Sequence, residues 1–498
     1  MKSALVASIA ARGLAAVLGL LALPVYLRFL GVEAYGVVGL FASLQVIVAF
    51  MDFGLPTTLT RQLAMLPREP AGVAQARDFT RTFELAYVGL AALIALVLAA
   101  VAPFVATHWV NADTLAPAQI SWPLQLAAVS LACGWPANLY TAGLAGLHRQ
   151  VPLAMSASIF AIARVGLAVL FLWHVPTLES FFLAQVLASL LQSAGTGLQL
   201  WRELRLPGHR AIARRELLVQ SRGFAGGMTM ITIASILLSQ MDKLVLSHLL
   251  PLSEFGMYSI AAALAAGLYV LVSPVFSVIY PRISALWGAG DQVEVVSLYH
   301  ASAQFMALLV MPVAAVLACF PREALFILTG DAAISAQAAP LLVLLVVAAA
   351  CNGIMNIPYA LQLAAGWTSL SVWLNIAAVL LMAPATWWAA TQYGAAGGAA
   401  AWALLNVGYV LLTPQLLHGR LLPAEKWRWY GRDVLAPAAA SAGVALLLAT
   451  IGPAGQESRL LAFLELGLCW ALTAAATLAC LGRLRPLVAA MIVRKTHA

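Results

Sequence analysis

Fourteen apolar stretches follow one another along this 498-residue chain, each of about the 20 residues that a helix needs to cross a bilayer. They fall at 5–30, 36–58, 83–106, 120–146, 151–173, 178–200, 223–248, 254–280, 300–320, 336–364, 368–390, 396–418, 434–451 and 460–481. In hydrocarbon every backbone polar group must be bonded internally, so such stretches become helices. An all-α polytopic membrane protein with about 14 transmembrane helices is therefore expected. At 63% hydrophobic and 9% charged residues, the chain has too little polar surface for a soluble fold. Lys2 followed by an apolar run also fits a cleaved signal peptide, but the run continues through Pro24, which favours a resident first helix.

Charge gives the chain an orientation. Of 27 Lys and Arg residues, 21 fall in the gaps on one side: Lys2, then Arg61, Arg68, Arg77 and Arg81, Arg149, the group from Arg202 to Arg222, Arg282, Arg420 to Arg432, and Arg483 to Lys495. The opposite gaps hold only Arg28, Arg322 and Arg459. By the positive-inside rule the charged side is cytoplasmic, and both termini with it. The net charge of +8 then sits on cytoplasmic edges, where it suits anionic lipid headgroups and calls for no nucleic acid. Cys133, Cys319, Cys351, Cys469 and Cys480 are scattered through apolar helices and read as packing residues, with no disulfide, metal or cofactor implied. The longest gaps, 201–222 and 281–299, leave no room for an extramembrane catalytic domain.

The gap WRELRLPGHRAIARRELLVQSR divides two sets of six spans, and LHGRLLPAEKWRWYGRD separates those twelve from a final pair. This gives a first lobe over 1–200, a cytoplasmic linker over 201–222, a second lobe over 223–419, and a loop with two further helices over 420–498. The lobes read as copies. LGVEAYG at 30–36 answers LPLSEFG at 250–256, pairing Tyr35 with Phe255 and Gly36 with Gly256; Pro56 pairs with Pro274, Arg61 with Arg282, and Asn138 with Asn356, all at offsets of 218 to 221. Gly, Pro and Asn also recur at turns in any polytopic protein, but a common offset favours duplication. Units with an even number of helices insert the same way up, as parallel repeats, and such pairs build a central cavity exposed alternately to each side.

The stretch RGLAAVLGLLALPVYLRFLGVEAYGVVGLFASLQVIVAFMDFGLPTTLTR resembles the opening of the polysaccharide-biosynthesis oligosaccharide flippases, the Wzx-like branch of the multidrug/oligosaccharidyl-lipid/polysaccharide exporter superfamily. SQMDKLVLSHLLPLSEFGMYSIA resembles that family's seventh helix and the turn after it. The resemblance covers about residues 1–420, most specifically 12–61 and 240–285. It implies a bundle of two six-helix lobes in the bacterial inner (plasma) membrane. Its cargo would be an undecaprenyl-diphosphate-linked glycan, carried from the cytoplasmic to the outer leaflet for a surface polysaccharide such as an O-antigen or exopolysaccharide. Polymerase or export machinery would be a possible partner.

Charges inside spans mark where binding is to be sought, because each costs roughly 2.5 to 3.5 kcal/mol at the bilayer centre. They are Arg12, Asp52, Arg164, Asp242 and Lys243. A diphosphate calls for cations, and a guanidinium meets phosphate oxygens two at a time. Arg12 and Arg164 are the first candidates for that contact, followed by Lys243; Arg28 and Arg61 lie near helix ends, where they can snorkel to water. Asp52 and Asp242 are the candidates for gating or for coupling to H+ or Na+. The competing reading is that these groups form fixed ion pairs or lie nearer the surface. Pro24, Gly54, Pro56 and Pro274 are candidate hinges. Glu84 and Glu465 read as solvated, and Trp109, Trp122, Trp173, Trp201, Trp427 and Trp429 as an interfacial belt.

Three other functions remain for comparison. A lipid II flippase needs the same features as a flippase of other lipid-linked glycans. A multidrug cation antiporter calls for an acidic cavity, which the three intramembrane cations disfavour. A polytopic glycosyltransferase or polymerase calls for clustered carboxylates or a large outer loop, and neither is present, so the chain reads as no enzyme. No P-loop occurs, so ATP is not hydrolysed by this chain.

Overall fold

The computed structural model describes residues 2–52, 54–66, 69–217, 238–452 and 458–482, without the side chains of 2–9, Arg12, Phe50 and Gln150. Among these residues the elements are helices, and the one β-type pairing is an isolated bridge between Asn111 and Pro251.

Glycine decides where the spans end. The helix α1, Lys2–Phe50, is two spans broken only at Gly31, whose φ of 79° is one that other residues rarely adopt. It is followed by α2 (Leu55–Met65), α3 (Pro70–Phe104, ending in a π turn, Val105–Trp109), α4 (Pro117–Gly134), α5 (Pro136–Gly146), α6 (Gln150–His174) and α7 (Leu178–Glu203). After the linker come α8 (238–249), α9 (Leu252–Gly288), α10 (Gln292–Cys319), α11 (Pro321–Thr329) and α12 (Ala332–Ala364). The last elements are α13 (Thr368–Leu421), α14 (Lys426–Arg428, running through the π turn Trp429–Leu435 into α15, Ala436–Ile451) and α16 (Arg459–Cys480). Like α1, α13 holds two spans, joined at Gly394 with φ 59°. Ten of the described helices are long and apolar enough to cross a membrane. Dividing α1 and α13 at their glycines and taking α4 with α5 as one crossing brings the described crossings to thirteen, and α8 is the described part of the span expected over 223–248, the rest of which lies outside the described residues.

The second span differs from its expected course. Its helix stops at Phe50, turns at 51, 52 and 54, and restarts as α2, so 36–58 is not one helix. Asp52 Oδ1 accepts the Gly54 amide at 2.9 Å, Gly54 takes φ 71°, and Pro56 stands in the first turn of α2, where its missing amide costs nothing.

The chain divides into two compact units, 1–256 and 257–498. In the first, α1 packs on α6, α4 on α3 and α7, α6 on α7, and α2 on α5. In the second, α12 packs on α10, α11 and α13, and α15 and α16 pair with each other against α10. Residues 238–256 belong to the first unit, being bonded to its loop at 109–113. Leu252 N–H donates to Asn111 O at 2.7 Å, Asn111 Nδ2 to His248 O at 2.7 Å, and Trp109 Nε1 to Ser247 Oγ at 3.1 Å.

In that same unit the two copies of the turn motif meet reciprocally. A Cβ on Gly36 would stand 2.6 Å from the carbonyl oxygen of Leu252, and a Cβ on Gly256 would stand 2.2 Å from that of Val32. Val32 and Leu252 are themselves separated by the repeat offset of 220. One residue of each copy thus touches the other copy's counterpart, the mark of a two-fold contact.

Two polar joints fix loops at the cytoplasmic end of the sequence reading. The linker folds back on α3: Asp78 accepts Ile212 N–H at 2.9 Å and pairs with His209 at 3.1 Å and Arg214 at 3.0 Å. Beside it Glu84, expected to be solvated, is buried. It accepts Tyr140 Oη at 2.6 Å and Trp201 Nε1 at 3.2 Å and pairs with Arg81 at 2.8 Å, because three donors replace the water it gives up. In the second unit His300, fully buried on α10, bonds Asp433 through Nδ1 and Glu425 through Nε2, the latter at 2.8 Å. Asp433 also accepts Gln304 Nε2 at 2.9 Å. Trp429 is buried there too, against His418 and Tyr430, which removes it from the interfacial belt; Trp122, Trp173 and Trp427 are exposed.

Gly256→Ala should lower the thermal midpoint of the purified protein by the equivalent of about 1–3 kcal/mol, since a backbone carbonyl must move. Combined with Gly36→Ala, the loss should fall short of additive, because both changes open one contact. Breaking the second joint by His300→Ala should cost about 3–5 kcal/mol. Burial pushes the Glu425 carboxyl up, but the hydrogen bond and charge of His300, together with Arg428, outweigh it and hold the group below the usual carboxylate range. Its contribution is complete above the ordinary value of 4.5 and is lost as pH falls through the depressed one. Midpoints measured from pH 7 downward should therefore drop below about 4.5, and Glu425→Gln should flatten that drop.

Candidate substrate-binding site

The helix α6 carries Arg164 toward α7. Two glutamines on α7, Gln185 and Gln192, lie seven residues apart, hence two turns apart on one face. Arg164 Nη1 donates to Gln185 Oε1 at 3.1 Å and Nη2 to Gln192 Oε1 at 2.8 Å. Tyr26 of α1 lies within electrostatic reach of the guanidinium, and its ring meets Phe181 of α7 edge-on at 5.1 Å. Arg164 is half-buried and Gln185 buried.

What matters is the kind of partner. Both acceptors are neutral amide oxygens, and among the described residues no carboxylate pairs with Arg164. The amides fix the plane of the guanidinium and leave its charge intact. Of its five N–H groups, two are used in these bonds, so donors remain for an anion. The arrangement suits phosphate oxygens, which a planar fork meets in pairs.

The other sequence candidates are not bonded to this cluster among the described residues. Arg12 lies on α1, but its side chain falls outside the described residues. Arg28 and Arg61 are exposed, on α1 and α2. Lys243 is half-buried on α8 and donates to Gln240 Oε1 at 3.3 Å, while its neighbour Asp242 is buried. Asp52 is held in the turn before α2, outside any helix. Pro24 and Pro274 lie within α1 and α9. Gln185, Gln192 and Tyr26 were not among the sequence candidates. Two glutamines at heptad spacing inside an apolar span are the signal that could have found the first two, and Tyr26 left none.

Residues 3–287 match the family described as polysaccharide biosynthesis protein. No curated protein matches the chain. Among solved structures, the lipid II flippase MurJ in its inward closed conformation matches with a TM-score of 0.72 at 14% identity, covering 98% of this chain and 100% of its own. A mutant of the Vibrio cholerae MATE transporter VcmN gives 0.58 at 14% identity, over 86% of this chain and 98% of its own. A MOP superfamily transporter from Pyrococcus furiosus, whose binding pocket is described as being of reverse polarity, gives 0.53 at 14% identity, over 84% and 96%. These likenesses show a common fold.

An arginine kept for binding and not for stability should be dispensable to folding. Arg164→Met should leave the thermal midpoint unchanged or raise it, because it removes a partly desolvated charge that no carboxylate offsets. Gln185→Leu, by contrast, should lower it by about 1–3 kcal/mol, since Arg164 then loses a buried acceptor. Failure of Arg164→Met to insert or fold would make Arg164 a structural strut.

Proposed function

The chain belongs to the polysaccharide biosynthesis protein family, and from that premise we propose that it is a flippase that carries an undecaprenyl-diphosphate-linked oligosaccharide from the cytoplasmic to the outer leaflet by alternating access. The observation that carries this reading is the Arg164 guanidinium, oriented by two neutral amides with its charge uncompensated. A diphosphate headgroup supplies the anion that such a group lacks. A cation antiporter has no use for it. Arg12 and Lys243 are the further headgroup contacts in this proposal, with Arg28 and Arg61 secondary.

The protein's work is transport, with no bond made or broken. The lobes are 1–200 and 223–419, joined by the linker 201–222 and followed by the pair within 420–498. The membrane is the inner one, and the 21-to-3 distribution of cations between the two sets of gaps supports cytoplasmic termini. Asp52 and Asp242 are the acidic groups available for H+ or Na+ coupling, and a polysaccharide polymerase or export complex is the partner that would receive the product. Glycine breaks at Gly31 and Gly54, with Pro24, Pro56 and Pro274, supply the hinges. The match to a lipid II flippase favours a second cargo of the same headgroup chemistry, so lipid II remains the alternative substrate.

Cells depleted of the protein should accumulate undecaprenyl-diphosphate-linked oligosaccharide on the cytoplasmic leaflet, measured by leaflet-resolved labelling. Wild-type protein should reverse the build-up. Arg164→Ala and Arg12→Ala should each lower export at least about tenfold, equivalent to 1.4 kcal/mol or more of lost headgroup binding, while the protein stays inserted. Normal export in both variants would remove the headgroup contact. Absence of build-up together with sensitivity to cationic dyes would replace the flippase by a drug antiporter.

A further inference from the structure

The second compact unit contains a face whose chemistry fits neither lipid nor diphosphate. Among the candidate spans α12 is the most enclosed, with 67% of its apolar window buried. Its accessible stripe nevertheless carries Asn352, Asn356 and Tyr359, the last 41% exposed. These residues follow one another at three- and four-residue spacing and so share one side of the helix. The neighbouring α9 approaches closely at Gly353, where a Cβ would stand 3.1 Å from Val272.

Three rings form a layered stack where the two helices meet. The rings of Phe276 and Tyr280 on α9 lie 5.7 Å apart and 8° from parallel, and Phe276 and Tyr359 lie 5.9 Å apart and 18° from parallel. Beside the rings, Ser273 and Ser277 of α9 are exposed. Asn352 donates to Asn406 Oδ1 at 3.1 Å and Asn356 to Asn352 O at 2.9 Å. Their own side-chain oxygens accept no hydrogen bond among the described residues, so both amides are braced with acceptors to spare.

A lipid-facing surface of this protein looks different. On α13 the exposed side chains include Leu380, Leu381, Leu411 and Leu412, each more than half exposed. Two amide oxygens and a phenol without partners would each cost several kcal/mol if they faced hydrocarbon. The face of α9 and α12 therefore opens onto water or a polar ligand. No cation lies among these side chains, so they offer a diphosphate no charge pairing. A sugar ring fits: its C–H face can lie on the exposed Tyr359 ring, which Phe276 and Tyr280 back, and its hydroxyls can donate to the amide oxygens.

We propose that Phe276, Tyr280 and Tyr359, with Asn352 and Asn356, form a carbohydrate-binding platform that holds the glycan of the lipid-linked substrate. The inference rests on the flippase reading and adds to it a place where the sugar, as distinct from the diphosphate, is recognised.

The test uses the full chain in nanodiscs and native mass spectrometry with two probes. One is undecaprenyl diphosphate; the other is the pool of undecaprenyl-diphosphate-linked glycans extracted from cells depleted of the protein. Wild type should bind the glycan-bearing pool about tenfold more tightly than the bare lipid, or about 1.4 kcal/mol. Tyr359→Leu and Asn356→Ala should abolish that preference and bind bare undecaprenyl diphosphate as wild type does, which also shows that they are folded. Tyr359→Phe, which keeps the ring, should retain it. Arg164→Gln should weaken both probes alike. Equal preference in wild type and Tyr359→Leu would overturn the platform, while weakening by Arg164→Gln would leave the flippase reading standing. Binding of neither probe to wild type would overturn both.

Discussion

The carbonyl oxygens of Val32 and Leu252 occupy the places where Gly256 and Gly36 would otherwise carry a Cβ. Nothing larger than hydrogen fits at either glycine without moving backbone, so the pair of turns can meet only in this register. Because Val32 and Leu252 are equivalent positions of the repeat, one contact fixes both copies of the motif at once. The glycine break at Gly31 belongs to the same turn, and it kinks the chain between two helices without a loop that would expose backbone polar groups. The direction of two adjoining spans is thus set by a few residues whose only special property is a missing side chain.

Within that frame the protein treats its buried charges in two ways. At the joints, charge is met by several partners: His300 stands between Asp433 and Glu425, and Asp78 and Glu84 each gather several donors. Charge met in this way holds segments in place, the C-terminal helices in one case and the linker in the other. Arg164 is held as firmly, by Gln185 and Gln192, yet its charge is left whole. Stability alone does not call for a partly desolvated cation with neutral partners, since an apolar residue of similar shape would cost less. Retaining it makes sense where an anion visits.

Much of this was legible in the sequence, and the reason is physical. The hydrocarbon layer imposes length and apolarity on every span, so fourteen crossings could be counted without knowing a single contact. The repeat was visible because its turn depends on glycines, which leave a pattern. Arg164 was visible because a charge inside an apolar run is costly wherever it points. What stayed hidden depends on neighbours far apart in sequence. Trp429 looked interfacial by its position, but His418 and Tyr430 enclose it. Glu84 looked solvated until Tyr140 and Trp201 were seen to reach it. The helix expected over 36–58 breaks because Asp52 and Gly54 prefer their own local bond to a helical turn, a competition familiar for Asp and Gly. Such joints conserve no linear spacing that a reader of the sequence alone could use.

A lipid-linked glycan poses two recognition problems that one kind of side chain cannot solve. The diphosphate is charged and common to every such lipid, so a cation with spare donors captures it irrespective of the sugar. The glycan is neutral in its ring faces and variable, and its discrimination has to come from aromatic surfaces and amides, whose insertion costs less than that of charge. The two chemistries are found on different helices, Arg164 on α6 and the stacked rings on α9 and α12. With them on separate helices, the residues proposed to meet the sugar could change without disturbing the cation proposed to hold the headgroup. On the proposed function, cargoes that share the headgroup and differ in the glycan call for that independence, and the distribution of charged and aromatic side chains along this chain supplies a physical basis for it.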